Sequence, residues 1–294
     1  SSKEIIKVGS EGELKYCLSS QLKDGTETEI ILTKDIELYN ELILNSNVTL
    51  NLNNHTLKIA YPNKQIQIGN KKSVGKIPHQ IYHEGYWETK LRLITNDPYG
   101  RSLPVSMWWS DSYDVWIPGY YTTKYEDIYD YSKIKVTIKN GEIKGANGFI
   151  SENNKLLACR LADAHGKNGM QPTSLFYLTS GSLKLEGVKL VTGDGSNGGN
   201  ATYSRVWHIP FFVNGNGGNG GNGANGGNIF YAEQGTVAVD STCAFFPGKG
   251  GKAGFGSFPN PNTWVFKGKK GKDGQDGQKG HTINDWSKLL ILKN

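Results

Sequence analysis

Apolar and polar positions alternate in short bursts near the N-terminus. Ile30-Ile31-Leu32, Ile36-Glu37-Leu38, Leu42-Ile43-Leu44, Val48-Thr49-Leu50-Asn51-Leu52 and Leu57-Lys58-Ile59 follow in quick succession, with breaks of Asn, Asp, Lys or Ser. The alternating runs have the period-two pattern of strands with one buried face. No Asn-Gly-type two-residue turn joins them, which disfavours hairpins; each strand is expected to stack on another one a full turn of a coil later. Upstream, Ser10-Glu11-Gly12-Glu13 has capping-box form. Leu14, Cys17, Leu18 and Leu22 then share one helical face, and Asp24-Gly25 ends the helix. Such a helix would cover the open edge of the first strand layer. Residues 1–60 are thus expected to hold a capping helix and the first layers. Over 61–131 the pattern breaks down. Over 132–192 it resumes at Ile134–Ile138, Glu142-Ile143, Leu175–Leu178 and Leu183–Leu185.

From 193 to 294, strand-like stretches (Ile229-Phe230-Tyr231, Thr236–Val239, Trp264-Val265-Phe266) alternate with glycine triplets. Trp286–Leu292 reads as a final strand. Residues 216–227 keep a strict three-residue repeat of Asn-Gly-Gly type, and shorter triplet segments occupy 194–199, 249–254 and 268–280, with a weaker one at 166–169. Period three matches an extended polyproline-II-type helix without internal hydrogen bonds, so the twelve-residue run would be a rod of roughly 37 Å. Its backbone groups need partners, and Gly at two positions of three lets neighbouring rods approach closely enough to bond sideways. The third position, Asn or Lys, is expected to face outward. Ordering this much glycine costs about 1–2 kcal/mol per residue, so only a bundle would be stable. The segments are too short and too poor in proline for collagen, and no Gly-Lys-Ser/Thr ending suggests a phosphate loop.

The helix followed by Asn47-Val48-Thr49-Leu50-Asn51-Leu52-Asn53-Asn54-His55-Thr56-Leu57 resembles the opening of pectin-lyase-like parallel β-helix proteins. The glycine triplets alternating with strands over about 164–280 resemble the tail-fibre tip adhesins of T-even-like bacteriophages and bacterial Gly/Asn-rich surface adhesins. Together these resemblances imply an all-β protein. They imply a right-handed parallel β-helix (solenoid) with an N-terminal capping helix and a bundle of glycine-triplet helices of polyproline-II or polyglycine-II type. They further imply receptor binding outside the cell, at a cell surface or a virion fibre tip, by part of a longer fibre or surface protein, with a homotrimer as a candidate assembly.

The interrupted stretch is where chemistry concentrates. It holds fourteen Tyr and Trp residues and five prolines. Long insertions at turns often carry function, and Tyr and Trp offer large contact area that stacks on sugar rings. The candidate binding residues are Tyr86, Trp87, Trp108, Trp109, Tyr113, Trp116, Tyr120 and Tyr121. The competing reading is a small satellite core in which the aromatics bury one another. Asp97, Asp111, Asp114, Glu126, Asp127 and Asp130 lie in the same stretch. Two of them could form a general acid and base on a glycosidic bond, but nothing in the sequence pairs them. His55 reads as a turn histidine.

Composition narrows the partners. The 294 residues carry 33 Lys and Arg against 27 Asp and Glu, too small and spread an excess to point to nucleic acid. Lys249, Lys252, Lys267, Lys269, Lys270, Lys272 and Lys279 cluster late in the chain, as a solubilising face or a contact for an acidic partner. Cys17, Cys159 and Cys243 have no metal-ligand spacing and read as small buried hydrophobes. No apolar run of about 18 residues exists, so no membrane insertion is expected. The start does not read as a signal peptide, and its abrupt entry into patterned sequence suggests a processed chain or a piece of a longer one. No metal or cofactor is implied. The expected function is an adhesin recognising a cell-surface glycan or outer-surface protein. The alternatives are a polysaccharide lyase or glycoside hydrolase, against which stands the absence of a local acid-Arg motif, and a purely structural fibre segment.

Overall fold

The computed structural model describes residues 3–150, 152–153, 164–204, 215–261 and 268–293. Trp264-Val265-Phe266, Cys159 and Lys267 therefore lie outside the described residues. The chain divides into two compact units, one made of Ser1–Lys71 with Tyr131–Asn294 and the other of Lys72–Asp130.

In the first unit, strands β1 (Lys3–Val8), β2 (Glu27–Leu32), β3 (Ile36–Leu38), β5 (Val48–Asn51), β6 (Thr56–Ile59), β12 (Lys135–Lys144), β14 (Ser182–Val191), β16 (Thr236–Val239), β17 (Ala244–Phe246) and β18 (Leu289–Ile291) form a ten-stranded sheet. Its main order is β1-β2-β5-β12-β14-β16-β18. Strands β4 (Leu42–Leu44), β7 (Ile66–Ile68), β13 (Phe176–Leu178) and β15 (Phe230–Ala232) form a four-stranded sheet. Every registered pair in both sheets is parallel.

The expected right-handed parallel β-helix is replaced by this arrangement: a ten-stranded parallel sheet, a smaller parallel sheet, and two separate two-stranded ribbons. Period-two patterning fixes which face of a strand is buried. It does not fix the path the chain takes between strands, so a coil could not be read from it. Residues 61–131 also hold a strand the pattern did not show, β7, whose Ile-Gln-Ile core is only three residues long.

Register places like residues in columns. Ile30, Leu50, Ile138, Leu185 and Val239 align across five neighbouring strands and are all buried. On the four-stranded sheet, Leu42, Ile66, Phe176 and Phe230 align in the same way. Both columns belong to one hydrophobic cluster. Turns are made by left-handed residues: Asn53 and Asn54 after β5, Asn140 within β12, and Gly187 at the matching level of β14. His55 sits in the first of these turns, 3.4 Å from Asp35.

Helix α1 (Glu11–Tyr16) starts at Ser10, whose Oγ accepts the Glu13 amide at 3.1 Å. The Glu13 carboxylate reaches back to the Gly9 amide at 2.7 Å, one residue beyond a standard capping box. A wider turn at 17–21 extends the helix and buries Cys17, whose thiol burial pushes its pKa up. Glu11 accepts the backbone amides of Tyr39 and Asn40, tying the helix to the loop after β3.

One buried ion network sits on the large sheet. Glu29, 5 % exposed, accepts from Lys3 at 2.5 Å, Asn51 at 3.0 Å and Lys139 at 3.1 Å. The Lys3 bond foremost, opposed by burial and helped by Asn51 and Lys139, holds its carboxyl down at about 2. A depressed folded pKa contributes stability that is complete above the unfolded value of about 4.3 and is lost as pH falls toward 2. Urea titrations from pH 6 to 2 should show this loss, and Glu29→Gln should remove roughly 3 kcal/mol of that pH dependence. A variant with the parent's full pH dependence would remove Glu29 as its source.

The glycine-rich stretches make no strands but bond laterally in two rows. The first row runs 145–150 with 152–153, then 193–202 and 248–258, and the second 164–171, 215–228 and 268–281. Within the second row, Gly217, Gly220, Gly223 and Gly226 donate to the carbonyls of Lys269, Lys272, Gln275 and Gln278. Between rows, Gly221 donates to Gly199, Gly254 to Gly221 and Gly274 to Gly254. Backbones approach so closely that a Cβ on Gly221 would lie 1.9 Å from the Lys167 carbonyl oxygen.

The third-position asparagines face outward, as the repeat had suggested, with Asn219, Asn222 and Asn225 exposed, but they also bond sideways. The Oδ1 atoms of Asn216, Asn219, Asn222, Asn225 and Asn228 accept the amides of Lys269, Lys272, Gln275, Gln278 and His281 at 2.7–2.9 Å. Asn is short enough to bond a neighbouring backbone without displacing it, which satisfies donors that glycine packing alone would leave open.

Candidate binding ribbon

The second unit is built from four strands that its mixed sequence did not announce: β8 (Lys71–His83), β9 (Tyr86–Ile94), β10 (Trp109–Ile117) and β11 (Tyr120–Tyr131). Strands β9 and β10 pair antiparallel from Tyr86↔Ile117 to Ile94↔Trp109. Strands β8 and β11 pair as well. Their side-chain contacts run in opposite order, Lys76 with Asp127, His79 with Glu126, Gln80 with Thr123 and His83 with Thr122, as antiparallel strands require. A short 3-10 turn at Val105–Met107 lies in the connection between β9 and β10.

Ribbons this thin have no interior. None of residues 72–130 is buried, so the satellite core weighed against a binding role is absent. The period-two rule sorts the β9/β10 side chains onto two faces. Trp87 and Trp116 lie directly opposite each other, rings 5.4 Å apart and tilted 58°. Leu91 and Leu93 continue that face, and with Trp87 at 67 % and Leu91 at 76 % exposure it is an open apolar stripe. The other face carries Tyr86, Tyr113 and Trp109. There Arg92 lies 5.4 Å over the Tyr113 ring and bonds Asp111 at 2.8 Å.

Of the remaining aromatics singled out from sequence, Trp108 is anchored by its indole N–H to the Leu103 carbonyl at 2.8 Å. Tyr120 stacks on His83 at 4.8 Å, and Tyr121 packs on Tyr82 at 4.9 Å. The eight residues are therefore divided between the two ribbons, Tyr120 and Tyr121 on β11 and the others on or beside the β9/β10 pair, and there between its faces. Leu91, Leu93, Arg92 and His83 were missed. The strand register, which pairs Leu91 with Ser112 and Leu93 with Ser110 beside the Trp pair, is what brings the leucines in.

Five of the six acids singled out in this stretch meet donors rather than one another. Asp111 takes Arg92, Asp114 takes the Thr89 hydroxyl at 2.6 Å, Glu126 takes His79 at 2.8 Å, and Asp127 faces Lys76 at 3.8 Å. Asp97 closes a tight turn. The Arg101 backbone amide foremost, with the Arg101 side chain and the Tyr99 amide, outweighs burial and holds its carboxyl below the ordinary range. A general acid needs the opposite shift. Among the described residues no three His, Cys, Asp or Glu side chains group as a metal site. No helix of the described residues is long and apolar enough to cross a membrane.

The first unit offers a second polar constellation. Glu233 accepts from Lys71 Nζ at 2.6 Å, Tyr177 Oη at 2.9 Å and Tyr131 Oη at 3.3 Å. Burial would raise its pKa, but these donors outweigh it and hold the carboxyl low. Lys71 and Tyr131 are the positions at which the chain leaves and re-enters this unit, so Glu233 gathers both ends of the interruption. A polar groove of about 640 Å³, lined by residues including Lys23, Glu27, Asn47, Thr49 and Lys135, lies along β2, β5 and β12 and contains none of the sequence-predicted aromatics.

No protein-family model matches the chain, and no curated protein or solved structure is significantly similar to it. The resemblances to pectin-lyase-like β-helices and to tail-fibre tip or Gly/Asn-rich adhesins are thereby withdrawn. Asn-rich turns and glycine triplets answer backbone needs, left-handed turns and close lateral bonding, that unrelated chains meet in the same way.

Proposed function

We propose that the aromatic ribbon is a recognition element that binds a glycan on a cell surface, on a protein that works outside the cell. The observation that carries this reading is that residues 72–130 bury no side chain while exposing Tyr82, Tyr86, Trp87, Tyr99, Trp109 and Tyr121 at more than half of their surface. Exposed apolar patches of this kind mark sites that a partner covers. A two-stranded ribbon gains little stability from them itself. The rigid aromatic rings offer flat faces on which the C–H side of a sugar stacks, at small entropic cost.

Charge favours an uncharged saccharide. The ribbon unit has six Lys and Arg against eight Asp and Glu. Arg92, Arg101, Lys76 and Lys90 already face carboxylates. An anionic sugar would have to displace those partners.

The test is glycan-array and whole-cell binding by the parent and by Trp87→Ala/Trp116→Ala. The double variant should bind at least about thirtyfold more weakly, the size of a hot-spot loss, with an unchanged thermal melt because neither indole is buried. Unchanged binding would sink the assignment. Binding that survives periodate oxidation of the target surface would replace the glycan by a surface protein. Release of new reducing ends would replace recognition by hydrolysis.

A further inference from the structure

We infer that the last segment of each glycine row is a built-in terminus, which closes the array against a second copy of the chain. The argument rests on how each layer receives the next. In the first row, Asn147 Oδ1 accepts the Asp194 amide and Asn153 Oδ1 the Asn200 amide. One layer on, Asp194, Asn197 and Asn200 accept the amides of Lys249, Lys252 and Phe255 at 2.7–2.8 Å. The second row repeats the device: His165 and Asn168 receive Asn219 and Asn222, and the asparagines of 216–228 receive the segment 268–281. Most of these acceptors are Asn or Asp.

At the last layer the series stops. The positions that would receive a further layer are Lys249, Lys252 and Phe255 in one row, and Lys269, Lys272, Gln275, Gln278 and His281 in the other. Lysine and phenylalanine have no side-chain acceptor, and glutamine carries its carbonyl one methylene farther out; His281 alone, at the end of the segment, keeps an acceptor of the kind that His165 uses. An incoming backbone would meet ammonium groups in place of acceptors, a device by which proteins block open hydrogen-bonding edges.

A second, independent feature covers donors. In the middle layer, Gly198 and Ala201 donate to the carbonyls of Lys252 and Phe255. The equivalent amides one layer later, Ala253 and Gly256, are instead taken by Asp276 Oδ1 and Asp273 Oδ1, both at 2.8 Å. Lys252 Nζ lies 3.0 Å from the other oxygen of Asp276, holding that side chain in place. Side chains of the second row's final segment therefore occupy two of the amides that a further layer on the first row would use. This assigns Lys249, Lys252, Lys269 and Lys272 a role within the fold rather than in capturing an acidic ligand.

Two measurements test the terminus on the whole chain. Lys249→Asn, Lys252→Asn, Lys269→Asn and Lys272→Asn combined with Asp273→Gly and Asp276→Gly should associate with rising concentration in sedimentation velocity, beyond whatever state the parent holds. A folded variant with the parent's association state over a hundredfold concentration range would overturn the inference. Should that variant not fold, Asp273→Ala/Asp276→Ala keeps the question open to hydrogen exchange. The Ala253 and Gly256 amides should exchange at least tenfold faster than in the parent, and unchanged protection of both would equally overturn it.

Discussion

Replacing Gly221 by Ala should prevent the chain from reaching its folded state. A Cβ at this position would lie 1.9 Å from the carbonyl oxygen of Lys167 and 2.5 Å from its carbon. Neither backbone can retreat. The Gly221 amide is bonded to Gly199 at 2.9 Å and its carbonyl accepts Gly254 at 2.8 Å, so the residue is held from both sides. Relief would require breaking bonds to the neighbouring layer as well, and a loss of roughly 3 kcal/mol or more is a large part of a domain's net stability. Gly12→Ala is the matching control. It lies in α1 with Ser10 Oγ, 4.0 Å away, as its nearest contact, and should be neutral or stabilise by up to about 1 kcal/mol. Soluble yield and thermal melting compare the two. A Gly221→Ala protein melting within a few degrees of the parent would mean that the lateral bonds do not form as described.

Phe230→Ala should cost nearly as much, by a different route. Phe230 is fully buried at the register position of Phe176. Its ring stacks on Phe176 at 5.6 Å and meets Phe245 edge-on at 5.8 Å. Truncation removes the transfer free energy of the ring, leaves a cavity in a close-packed column, and forfeits two aromatic contacts, about 3–5 kcal/mol in all. The next residue gives the contrast. Tyr231 points to the opposite face, is 44 % exposed, and touches Tyr177 in a stacked pair at 5.4 Å. Tyr231→Ala should cost no more than about 1.5 kcal/mol. Urea midpoints of the two variants measure the difference. Equal costs would place the hydrophobic column on the wrong side of β15.

Which features the sequence disclosed follows from which features have one dry face and one wet one. Ile36-Glu37-Leu38, Leu42-Ile43-Leu44 and Thr236–Val239 were located to the residue, because burial on one side alone writes alternation into the chain. The ribbon strands were missed for the complementary reason. Neither face of β9 or β10 is covered, so apolar and polar residues share both: Trp87, Leu91 and Asp114 stand on one face, Trp109, Val115 and Lys90 on the other, and burial singles out neither. The aromatics were legible as a group, but their partition was not: Trp87 faces Trp116 only because β9 and β10 run antiparallel in one register. The role of Asn219 was hidden in a similar way. A triplet repeat shows that its position is special, but the amide that it accepts belongs to Lys272, fifty-three residues away. The coil was inferred from strands whose parallel pairing did emerge, yet alternation within a strand carries no information about how successive strands are connected.

That constant spacing has a consequence for how the gene can change. Asn216, Asn219, Asn222, Asn225 and Asn228 each bond an amide exactly the same distance downstream. Gaining or losing a whole triplet between them slides one segment along its neighbour by a single notch and finds equivalent partners again. A change of one or two codons finds none. Nine-nucleotide slips in repetitive coding sequence are thus the steps by which these stretches can lengthen or shorten without unmaking the protein.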